Sequence, residues 1–152
     1  MLRRWQSFAQ SAQDVYVFNC VLLQNPMCET MMRFNMPQEQ SLEYIRSICE
    51  IIAPLDPVAI YLRRSDPARD ITAALPERGQ GWLDGVTEYH CSGGYGRAHA
   101  LHGFEGCIAA LKERQHRELA ILERLPVRSF IIDEDDRERA QERVKELIGQ
   151  CL

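Results

Sequence analysis

No stretch of the chain reaches the roughly 18 consecutive apolar residues that a membrane-spanning helix needs. The opening "MLRRWQSFAQSAQ" lacks the apolar centre of a signal peptide. A soluble, cytoplasmic protein with no membrane partner is therefore expected. Excess basic charge is missing too: 18 Lys and Arg stand against 22 Asp and Glu, a formal net charge of −4. That leaves no electrostatic footprint for a phosphate backbone, so no nucleic-acid partner is expected. The six cysteines (Cys20, Cys28, Cys49, Cys91, Cys107 and Cys151) show no CxxC spacing. Several lie among apolar neighbours, where a reduced thiol is simply a small core residue, so structural thiols are expected rather than a disulfide framework. Internal repeats and low-complexity tracts are absent.

What is present suits one ordinary domain spanning residues 1–152, at 45% hydrophobic and 26% charged. "LRRWQSFAQSAQ" reads as a helix, with Trp5 and Phe8 on one face. "VYVFNCVLL" (Val15–Leu23) is almost continuously apolar, β-branched or aromatic, which predicts a strand covered on both faces. "SLEYIRSICEIIAPLDP" puts Leu42, Ile45, Ile48 and Ile52 on one helical stripe, closed by Pro54 and Pro57. "VAIYL" (Val58–Leu62) and "VRSFII" (Val127–Ile132) read as two further buried strands. Between them a long helix is expected from Phe104 to Leu125, with Phe104, Ile108, Leu111, Leu119 and Leu122 inward. The acidic run Asp133–Asp136 suits the positive end of a last helix, whose stripe is Ala140, Val144, Leu147 and Ile148. Helices alternating with buried strands predict an α/β domain: three layers, a mostly parallel sheet flanked by helices.

The order of elements, with "PLDPVAIYLRRSDPARDITAALPERG" and "PVRSFIIDEDD", resembles the later part of P-loop nucleoside and nucleotide kinases of the thymidylate-kinase-like type. The resemblance runs from about Val15 onward. It implies an incomplete P-loop kinase-like fold with a lid-like insertion over about 63–103. The family's strand–GxxxxGK[ST]–helix, whose backbone N–H groups and Lys hold the phosphates, has no counterpart in this sequence. The resemblance implies that the phosphate-loop strand lies between those matching Val15–Leu23 and Val58–Leu62. Without it, the two strands are expected to pair directly or to drive self-association through exposed edges.

The resemblance also implies site residues. Asn19 stands where the family has an acidic residue near Mg²⁺, and with Gln24 and Asn25 it would lie at the sheet's carboxyl edge, where ligands bind. The same amides could equally satisfy a loop under Pro26. Arg64, Arg78 and Arg97 become phosphate and lid candidates, since guanidinium forks suit phosphoryl groups; a solvated, ion-paired surface is the alternative. Asp133 and Glu134 become adenine-loop candidates. Independently of any family, His90, Cys91, His99 and His102 are possible zinc ligands in one short window, although their spacing matches no standard zinc module. Gly93, Gly94 and Gly96 in the same window could instead serve turns.

Two functions follow as expectations. One is a kinase-like NTPase fragment: it would bind ATP and Mg²⁺, and phosphorylate a nucleoside, nucleotide or similar acceptor, only with a missing N-terminal segment supplied. Alone it would be inactive. The other is a non-catalytic binding or assembly module that self-associates through exposed strand edges.

Overall fold

A computed structural model describes residues 2–151, the side chain of Cys151 excepted. It is mostly helical. The described residues form one two-stranded parallel sheet, β1 (Val58–Arg63) with β2 (Arg128–Asp133), in register from Val58 opposite Arg128 to Arg63 opposite Asp133. This overturns the expected three-layer, mostly parallel α/β sheet and with it the incomplete kinase-like fold. Two of the three expected strands form, and they pair with each other. The expected first strand, residues 15–23, does not pair with β1: Val15 to Phe18 has no regular secondary structure, and residues 21–23 form a turn that leads into a helix. The physical reason is that β-branched and aromatic residues favour a strand only where a neighbour supplies ladder bonds and covering layers.

The chain divides into two compact units, one of residues 1–17, 46–65 and 125–152, the other of residues 18–45 and 66–124. The first holds α1 (Leu2–Ser11), the sheet and α8 (Arg137–Cys151). Asp136 starts α8 by accepting at Oδ1 from the Arg139 amide at 3.1 Å, so the acidic run does work as a helix start. Ala140, Val144 and Leu147 of α8 pack on Ile60, Phe130 and Ile132 of the sheet, a small core; Ile148 stays exposed. No residue of α1 is buried.

The second unit is built around α7 (Gly103–Leu122), with α4 (Pro67–Arg78) and α5 (Gln80–Cys91) packed on it. The expected lid-like segment is thus largely helical. Asp66 caps α4, its carboxylate accepting from the Ala68 and Arg69 amides at 3.0 and 3.2 Å, and Pro67 sits at the first helical position. Gly79, at φ 82°, ends α4 and admits α5. A four-residue α2 (Gln24–Met27) runs into a π-helical turn (Cys28–Arg33) that buries Met31 and Met32. The short α6 (Gly94–Ala98) lies against that turn. The glycines explain how: a Cβ on Gly93 would collide with the Met32 carbonyl, and one on Gly94 would sit 2.6 Å from the Arg33 carbonyl oxygen. Helix α3 (Gln38–Ile52), belonging to this unit up to Ile45 and to the first unit from Arg46, buries the expected stripe Leu42, Ile45, Ile48 and Ile52. Cys20, Cys28, Cys49, Cys91 and Cys107 are free thiols; the Cys151 side chain lies outside the described residues. No helix among the described residues is long and apolar enough to cross a membrane.

Candidate functional site

At the carboxyl end of the sheet the expected arginine and acidic candidates meet one another. Arg63 grips Asp133 through two bonds, Nε to Oδ1 at 2.6 Å and Nη2 to Oδ2 at 3.1 Å. Arg64 Nη2 lies 3.0 Å from Glu134 Oε1, and Ser65 Oγ donates to Asp135 Oδ1 at 2.8 Å. The Arg63 hydrogen bond holds the Asp133 carboxyl below its ordinary value. Beside these pairs an open groove of about 630 Å³ is lined by Asp133, Asp135, Asp136, Glu142 and Glu146 with Arg139 and Arg143. Carboxylates outnumber guanidiniums there, which disfavours a phosphate.

The amides after the failed strand close a turn. Cys20, at φ 66°, donates its thiol to Asn19 Oδ1 at 3.1 Å and to Gln24 Oε1 at 3.2 Å. The Asn25 backbone N–H donates to the Cys20 carbonyl at 2.9 Å. Polar residues therefore converge on Cys20 to launch α2.

Arg78 and Arg97 belong to the second unit, whereas Arg64 belongs to the first. Arg78 stacks its guanidinium 5.3 Å from the Trp82 ring, and Arg97 donates to the Ser92 carbonyl. The window proposed for zinc is likewise divided among other tasks. His90 is buried, Cys91 Sγ donates to the Gly103 carbonyl at 3.6 Å, His99 stacks on Tyr95 at 4.2 Å, and His102 Nδ1 meets the Ala100 carbonyl at 2.9 Å. Among the described residues no three His, Cys, Asp or Glu side chains are grouped to hold a metal ion.

Sequence reasoning missed the polar centre of the second unit, on α7. Arg114 Nε lies 3.1 Å from Glu118 Oε1, the side chains being 15% and 5% exposed. Arg114 Nη1 also donates to Cys28 Sγ at 3.5 Å. His90 is only 8% exposed, and its Nδ1 has no hydrogen-bond partner among the described residues. Burial, and then the Arg114 charge, push its pKa down to about 4, so it is neutral. One turn away Arg117 pairs with Glu113 at 2.7 Å and lies over Tyr95 at 5.3 Å. The signal was in "ERQHRE", which carries both i,i+4 pairs. Burial pushes the Cys107 thiol up to about 11, so that cysteine is an inert core residue.

The first unit contributes a different feature. Val15 and Val17 are 68% and 81% exposed, while Tyr16 between them packs edge-on against Phe8 of α1, ring centres 5.0 Å apart. Tyr16 is itself 48% exposed, so the segment shows no clear alternation of covered and bare faces. On the sheet, Ile131 is 45% exposed on the face away from α8. No family model, curated protein or solved structure matches the chain.

Proposed function

We propose that the chain is a non-catalytic binding and assembly module that acts by adding a strand to its open sheet. The observation that carries this reading is the sheet itself: two parallel strands packed against α8, with neither strand paired on its outer edge among the described residues. Parallel sheets are stable when both faces are covered, and an open edge offers unpaired N–H and C=O groups to another chain. The strand-end charges support the reading from the other direction. Arg63 and Arg64 are engaged by Asp133 and Glu134, so they offer no vacant cationic clamp for a phosphoryl group.

A second reading is favoured by one feature. The two strands that resemble kinase strands do form, and they run parallel. On that reading the chain serves ATP-dependent phosphoryl transfer when a strand-borne phosphate loop is supplied, and binds ATP and Mg²⁺ only then. Calorimetric titration of the chain with Mg²⁺-ATP separates the two. The first reading expects no saturable heat; saturable, Mg²⁺-dependent binding overturns it in favour of the second.

A further inference from the structure

Resting on the assembly reading, we propose that the strand added to the sheet is β2 of a second copy, paired antiparallel along the outer edge of β2 about a two-fold axis at Ile131. The ladder tells which groups face that edge. The Glu134 backbone N–H donates inward, to the Arg63 carbonyl at 2.9 Å. Backbone groups alternate sides along a strand, so Arg128, Phe130 and Ile132 also face β1, and Ser129, Ile131 and Asp133 turn theirs outward. No backbone partner meets those outward groups among the described residues. All three residues are exposed, whereas Val58 to Tyr61 of β1 are partly covered. The outer side of β2 also has room: the open groove of about 630 Å³ is lined from β2, α8 and the turn between them, and by nothing from β1.

Symmetry and charge fix the direction and the register. Two identical edges related by a two-fold axis perpendicular to the sheet run antiparallel and keep matching faces on the same side. That direction lays the acidic end of one β2, Asp133 to Asp136, beside Arg128 at the start of the other; a parallel pairing would set the acidic ends together. Centring on Ile131 puts Ser129 opposite Asp133 of the second copy and Ile131 opposite its own equivalent, so outward N–H and C=O groups meet at each of these pairs. On the α8 face Phe130 comes opposite Ile132, which joins the two small cores, and Arg128 comes opposite Glu134. Sliding one ladder step to either side sets Arg128 opposite Ile132, or Ile131 opposite Asp133, a charge against an apolar side chain in both cases. The interface is isologous and closes at a dimer, with β1 of each copy as the outer strand.

Sedimentation equilibrium over about 1 to 100 μM, spanning ordinary dimer affinities, tests this with the full chain and with Ile131→Lys, Ser129→Asp and, on β1, Leu62→Lys. The expected result is a reversible dimer that Ile131→Lys abolishes and Leu62→Lys leaves intact, with unchanged helical circular dichroism. Ser129→Asp sets carboxylate against carboxylate at both ends of the paired register and should weaken the dimer by roughly tenfold. Being an exposed change, it decides the matter should Ile131→Lys misfold. A dimer that survives the β2 variants overturns the proposal. If Leu62→Lys then dissolves it, strand addition stands at the β1 edge; if no variant does, both readings fall. A monomeric wild type also overturns the proposal, and a labelled peptide of residues 127–134, VRSFIIDE, then shows what else has failed. If that peptide binds the monomer, the open-edge reading stands and only the second copy is wrong. If it does not bind, both fall.

Discussion

Arg114 and Glu118 form an ion pair one helical turn apart on α7, at 3.1 Å, with both side chains largely removed from water. Such a pair is costly to break from one side, because the remaining charge stays buried without compensation. Arg114→Ala should destabilise the chain by about 3–5 kcal/mol. Replacing both partners together, as Arg114→Met with Glu118→Leu, should cost much less than the single change. Urea denaturation of the three proteins checks the order; equal losses in single and double variants would show that the pair is only incidental.

His90 gives the second unit a pH dependence of definite sign. Its folded pKa of about 4 lies below the ordinary value of 6.5, so the unfolded chain binds the proton more readily. Stability is therefore full above pH 6.5 and falls as pH drops from there toward 4, by on the order of 2–3 kcal/mol. His90→Gln should flatten that part of the profile. Denaturation midpoints measured between pH 4 and 7 provide the comparison.

Gly93 lies where the chain of α6 crosses the π-helical turn. Gly93→Ala drives a methyl group into the Met32 carbonyl and should cost roughly 1–3 kcal/mol. Gly81→Ala, in α5 with open space around the added methyl, should cost nothing and by helix propensity should gain slightly. Thermal melts of the two variants therefore move in opposite directions.

Asp133 titrates below its ordinary value because Arg63 donates to it. Its depressed folded pKa means that this contribution is present above the unfolded value and lost as pH falls through the folded one. Arg63→Ala should return the carboxyl to the usual range, and high salt should do so in part, since the pair is exposed. A carboxyl-resolved NMR titration reads both effects.

The parts of the fold legible in the sequence were those decided by local pattern. Leu42, Ile45, Ile48 and Ile52 announced α3, and Val58–Leu62 and Val127–Ile132 announced the two strands that form. Residues 15–23 were misread because composition reports what a segment is suited to pair with, not whether a neighbouring strand is present. Helices α4 and α5 fall inside the expected lid-like insertion, for which the sequence reading named no helices, although Asp66-Pro67 is a cap and a first helical position. The Arg114 centre was invisible for another reason: His90, Cys28 and Arg114 are distant in sequence, and only the packing of α5 and α7 makes the His90 charge state matter.

The most direct measurement of the central claim is amide hydrogen exchange followed against protein concentration. The open-sheet account predicts that the outward amides of β1 and β2 exchange quickly in dilute protein and that those of the paired edge gain protection as concentration rises. Protection in both strands that is already high in dilute protein, or that ignores concentration, would contradict it.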